Sequence, residues 1–190
     1  RNDLIKSLPD YFSIDLVNYL NVWGCIFLCS FFYESSVVGS FTSVYWLAYS
    51  LLFFPLVINS IYAPYYAIDS RKNNLIKLKK LFYQNRNASL ILALPIFIIL
   101  FLFSSFFLRL ILDIESSQLD IVFKILLINS LLRIIFGPQN LFLNMTSEER
   151  KLKYFLILST ILQTLTMVLS LIYLDIIFLT LAFLISNFLK

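Results

Sequence analysis

The chain has 190 residues, 60% of them hydrophobic and only 14% charged, with no histidine, two cysteines and a formal net charge of +4. At a mean hydropathy of +0.86, a soluble domain of this length could not bury its apolar surface, which excludes that class and leaves an integral membrane protein. The apolar runs are long and continuous rather than alternating, so the expectation is an all-α, polytopic transmembrane helix bundle and not a barrel.

Residues 1–15 are polar, carry Pro9, and read as a short interfacial lead. A first span is expected over 16–33, with Asn18 and Asn21 on one face, where they bind an adjacent helix or line a cavity near one end. Cys25 and Cys29 lie four residues apart on one face of that span and read as small core residues, not as a redox or metal pair. After a polar turn at Glu34, Ser35 and Ser36, a second span is expected over 38–62, kinked at Pro55, and Pro64 is expected to end it. In the basic segment that follows, Leu75, Leu78, Leu81 and Phe82 share a face, while Lys77, Lys79 and Lys80 lie elsewhere. That pattern fits a helix resting on an anionic leaflet, or equally an ordinary solvated linker helix.

A third span is expected over 88–112, with Pro95 inside it and Arg109 near its far end. Asp113, Glu115 and Asp120 mark an acidic outer turn. The fourth span, 119–144, holds the polar seam around which the functional reading is built. Asn129, Arg133, Gly137, Asn140 and Asn144 stand at offsets of 0, 4, 8, 11 and 15, which at about 100° per residue keeps them within roughly 60° of arc on one straight helix. A buried arginine costs about 2.5–3.5 kcal/mol to insert at a helix centre, so Arg133 is expected to face protein or water rather than lipid. The asparagines have a simpler reading as hydrogen-bond partners of a neighbouring helix. Lys124, on the opposite face, reaches the headgroups with its stem in lipid. A fifth span is expected over 152–174 and a truncated sixth over 176–190, so the whole reads as a fragment of a larger transporter.

If the spans alternate, twelve of the fifteen basic residues fall on one side: Arg1, Lys6, Arg71, Lys72, Lys77, Lys79, Lys80, Arg86, Arg150, Lys151, Lys153 and Lys190. That side is cytoplasmic by the positive-inside rule. No zinc site or histidine triad can be assembled without histidine, and there is no phosphate-binding G-x-x-x-x-G-K-[ST] loop, so no enzyme and no cofactor is expected. No acid lies deep in a span. The one deep charge is positive and favours an anionic cargo.

The stretch FGPQNLFLNMTSEER, residues 136–150, resembles the Gly-Pro, Leu-Asn-Met-Thr and acidic-basic segment of the oligosaccharide flippases of the MATE-like (MOP) exporter superfamily. Val38-Gly39-Ser40-Phe41, Ala63-Pro64, Asp69 and Leu75 are similar to further pieces of the family pattern, in the order of its second half, so the resemblance covers nearly the whole chain. Ser147 stands in place of the usual Gly, Ile68 in place of another, and the Pro- and Gly-rich junction between the last two helices is missing. The resemblance implies a MATE-like half of a transporter that works by alternating access in the bacterial cytoplasmic membrane. Its implied cargo is a polyprenyl-diphosphate-linked oligosaccharide for surface polysaccharide, and glycosyltransferases or a polymerase are its implied partners, with no nucleic acid involved. On this reading Arg133 contacts the diphosphate, while Asn129, Asn140 and Asn144 bind sugar hydroxyls or line the water path. The runners-up are a flippase for the peptidoglycan lipid precursor, a drug exporter of the same superfamily and, in another class, a membrane-embedded polysaccharide polymerase or ligase.

Overall fold

The computed structural model describes residues 2–72, 74–145, 149–171, 176–178, 180, 181 and 184, and all regular structure among them is helical. The first helix, α1 (Asn2–Phe32), runs through the expected polar lead and the first span together, and bends by 41° between Phe12–Leu20 and Val22–Phe32. A two-residue link at Tyr33 and Glu34 turns the chain into α2 (Ser35–Tyr49). A 3-10 turn over Ser50–Leu52 then leads into α3 (Phe53–Arg71). Pro55 explains that turn. It offers no N–H to the carbonyl of Leu51 and its ring crowds that carbonyl, so the preceding residues tighten. Pro64, expected to end the span, lies inside α3. Losing one rung does not stop a helix that packs along its neighbour α4 (Leu75–Leu102).

The separate surface helix expected around Leu75–Phe82 does not exist. It is the first part of α4, capped by Asn74, whose Oδ1 accepts from the Lys77 N–H at 3.1 Å. The polar run Asn85-Arg86-Asn87 does not interrupt the helix, because Asn85 is buried and bonded across to α3. The expected third span instead breaks at Phe103, and α5 (Ser104–Leu112) follows. It ends in a left-handed Asp113, φ 53°. Arg109 there pairs with Glu115 at 2.9 Å in an exposed ion pair.

The second major correction concerns 119–144. It is two helices, α6 (Ser117–Phe136) and α7 (Gln139–Met145), parted at Gly137-Pro138. Gly137 has φ 84° and ψ −172°, a backbone conformation essentially confined to glycine, and proline after it cannot continue the old ladder. At the far end of α6, Ser116 caps the helix by accepting from the Leu119 N–H. Lys124 bonds Asp120 at 2.8 Å one turn away, so its charge is matched by a partner on its own helix. The last long helix is α8 (Glu149–Leu171). Most of the expected sixth span, together with Thr146 and Ser147 of the family-like segment, lies outside the described residues.

Three stretches are long and apolar enough to cross a membrane: Ser35–Arg71 taken as one bent rod, α4, and Leu152–Leu169 of α8. The bent α1 makes a fourth if its two arms count as one span. This is a multi-pass membrane protein by its candidate spans, three or four among the described residues, where six are expected over the whole chain. Helix α6 is not among them, since its 20 residues carry Asp120, Lys124 and Arg133. It sits instead inside the bundle, packed on α2, α4 and α5, while α1 lies along α8 and α7 wedges between α3 and α8.

The packing is uneven along the bundle. At the end carrying Glu34 and the acidic turn, Cys25, Cys29, Phe41, Tyr45, Leu108, Val122, Phe123 and Leu127 form one continuous core. Towards the basic end only small clusters remain, Ile14 with Leu152 and Leu156, and Leu51 with Ala93 and Ile134. The space between them is hollow.

Candidate functional site

That hollow is a cavity of about 650 Å³. Its wall is built from seven helices and the break between α6 and α7: Asn18 and Val22 of α1, Tyr49 at the end of α2, Pro55 and Asn59 of α3, Asn85, Arg86 and Ser89 of α4, Arg133 of α6, Gln139 and Asn140 of α7, and Leu156 and Ser159 of α8. Two arginines reach it, and none of the described lining residues is a carboxylate.

Arg133 stands in the last turn of α6, where the uncapped carbonyl ends of the helix favour a cation by about 0.3–1 kcal/mol at the surface. Its Nη1 donates to the Tyr49 hydroxyl, and its Cζ lies 5.2 Å from the centre of the Tyr49 ring. The side chain is exposed on the cavity side and is held by an aromatic neighbour, with no acid in contact among the described residues. A guanidinium so placed keeps free donors for a planar oxyanion. Arg86, one helix away, bonds the Asn87 Oδ1 through Nε and Nη2 at 3.3 and 3.1 Å and covers the Tyr83 ring at 4.9 Å.

Beside Arg86 runs an amide chain. Asn85 Nδ2 donates to Asn59 Oδ1 at 3.0 Å, and Ser89 Oγ donates to Asn85 Oδ1 at 3.5 Å. The chain ties α3 to α4 and leaves a polar strip on the cavity wall. Below it, α7 is held by three rings: Phe142 meets Tyr66 at 6.1 Å and Phe82 at 5.8 Å, both edge-on. Gly137 is required here twice over, for its φ and because a Cβ would stand 3.0 Å from Phe82 Cζ.

No protein-family model, curated protein or solved structure matches this chain.

The four residues singled out from the sequence therefore separate. Arg133 and Asn140 line the cavity, but from different helices. Asn129 is 2% exposed in the packed part of α6 and does not line it. Its neighbour Ser130 donates to the Ala48 carbonyl at 3.2 Å, which shows this face of α6 pressed on α2. Asn144 is also off the cavity wall, with a buried Oδ1 that has no partner among the described residues. The single seam fails because the register of 119–136 is reset at Gly137.

The sequence reading missed Asn59, Asn85, Arg86, Ser89 and Gln139, and left Asn18 open. Asn85, Arg86 and Ser89 fall within one turn and a step on α4, a spacing visible in the chain. It was hidden by placing a helix boundary near Asn87. Asn59, one turn beyond Pro55, was visible as a lone polar residue without a partner to give it meaning.

Proposed function

We propose that the protein is a transporter that moves a polyprenyl-diphosphate-linked oligosaccharide across the cytoplasmic membrane, as the MATE-like half its sequence resembles would do. The observation that carries the reading is the cavity lined by Arg133 and Arg86, polar on one wall, apolar on others and free of carboxylates among its described lining residues. A diphosphate entering a low-dielectric space needs fixed positive charge to replace its hydration, and arginine supplies this in a planar fork. The apolar wall, with Leu52, Leu56, Phe155 and Leu156, suits the first part of a polyprenyl chain. The hollow lies towards the end that bears most of the basic residues, the side on which such a lipid is loaded if the positive-inside rule holds.

A drug exporter that takes up cations is the weaker reading, since a cationic cargo would meet two arginines and, among the described residues of this wall, no compensating acid. The test is lipid-linked oligosaccharide flipping, or polymer export in cells, with the full-length protein carrying Arg133→Ala or Arg133→Lys. Loss in Arg133→Ala with partial activity in Arg133→Lys is expected. Undiminished transport in both variants would overturn the assignment.

A further inference from the structure

The chain has two tryptophans, Trp23 and Trp46, and they touch, with ring centres 5.4 Å apart. Trp23 lies nine residues before the end of α1 and Trp46 eleven residues after the start of α2. At 1.5 Å per residue both stand about 14–16 Å from the same end of the bundle, near the middle of a hydrocarbon core about 30 Å thick. Tryptophan concentrates at membrane interfaces, where its N–H finds water. Here both indoles are exposed at mid-depth, 39% and 41%, and neither N–H makes a hydrogen bond among the described residues. Facing acyl chains, such groups would be left unsatisfied at a cost.

The pair belongs to a longer row. Tyr19 lies 6.0 Å from Trp23, and Tyr49 lies 6.0 Å from Trp46. The three contacts along the row are tilted or edge-on, at 33°, 60° and 79°, so Tyr19, Trp23 and Trp46 do not stack flat on their neighbours in it, whereas Tyr49 is stacked on Tyr45, with ring centres 5.0 Å apart at 19°. Tyr49 is the junction. Its ring ends the aromatic row, lines the cavity and holds the Arg133 guanidinium.

We propose that Tyr19, Trp23 and Trp46 form a saccharide-stacking platform, joined through Tyr49 to the phosphate-binding arginine and leading away from it. This deepens the transport reading and rests on it. A pyranose ring has an apolar face of C–H bonds and a rim of hydroxyls. Flat aromatic faces bind the first, while indole N–H, phenol O–H and amide groups such as Asn18 bind the second. The order along the structure, cation first and aromatic row after it, matches the order of diphosphate and sugar in a lipid-linked glycan.

Because both tryptophans are in the row, intrinsic fluorescence reports on it directly. The full chain is placed in bilayers, with Trp23→Phe and Trp46→Phe used to assign the signals. Acrylamide in water and lipids brominated at mid-chain serve as quenchers, and the probes are undecaprenyl diphosphate and the same lipid bearing one N-acetylglucosamine. The expected result is quenching by acrylamide, relieved by the sugar-bearing probe and not by the bare diphosphate. Trp46→Leu should weaken binding of the sugar-bearing probe about fivefold, the loss of one aromatic contact. Binding of the bare diphosphate should hold in that variant, which also shows that it folds, and Trp46→Tyr should restore sugar binding. Strong quenching by brominated lipid overturns the proposal, because the row then faces lipid. Access by neither quencher also overturns it, because another protein surface then covers the row. If both probes act alike, the platform is refuted while the phosphate site stands; if neither binds, the transport reading fails first.

Discussion

Gly137→Ala is the sharpest perturbation this structure offers. At φ 84° and ψ −172° the backbone occupies a region that costs a side-chain-bearing residue about 1–3 kcal/mol. The added methyl would also sit 3.0 Å from Phe82 Cζ and 3.1 Å from Phe82 Cε1, with Arg86 Cγ at 3.4 Å, so the ring must shift. Overpacking of this kind adds about 1–3 kcal/mol, for a total loss of about 2–6 kcal/mol. Gly24 and Gly39 supply the controls. Each lies within a helix, with nothing inside 4 Å of the point where an added methyl would stand, so alanine there should be neutral or should stabilise by roughly 0.5–1 kcal/mol. Reversible unfolding in mixed detergent micelles, followed by helical circular dichroism, measures all three. Placing Gly137→Ala in a Phe82→Ala background removes the collision and keeps the backbone strain, so the cycle divides the loss into its two causes. If Gly137→Ala proves as stable as Gly24→Ala, there is no break between α6 and α7, and the cavity wall built on that break is wrong.

The amide chain gives a second test: Asn59→Leu strands the buried Asn85 amide and should cost about 1–3 kcal/mol, while Asn59→Leu with Asn85→Leu should recover part of it in the same unfolding assay. Phe142→Ala removes the ring that joins Tyr66 to Phe82 and should destabilise by about 2–4 kcal/mol, a little below the range for a fully buried aromatic, since Phe142 is half-buried. Phe31→Ala, exposed and touching Phe27 alone among aromatic rings, is the comparison and should cost far less. Cys25 and Cys29 are 1% and 0% exposed, so a membrane-permeant maleimide should label neither in the folded protein and both on unfolding. Rapid labelling under native conditions would contradict the packed end of the bundle.

The chain by itself determined the solvent and the class. Sixty per cent hydrophobic residues in long unbroken runs leave little besides membrane helices, and local chemistry marks a true punctuation point at the polar turn of Glu34 before α2. It also marked Arg133 as a cation that had to find a polar side, and the cavity is where its side chain lies. What local periodicity could not decide was where a helix stops being one helix. An angular argument over Asn129 to Asn144 holds only while every residue adds the same rotation, and the positive φ of Gly137 ends that condition midway. Nor could it pair Asn59 with Asn85, 26 residues apart, or bring Tyr49 to Arg133, 84 residues apart. Those contacts depend on which helices lie side by side, and that is settled by the fit of whole faces against one another rather than by any stretch of sequence read alone.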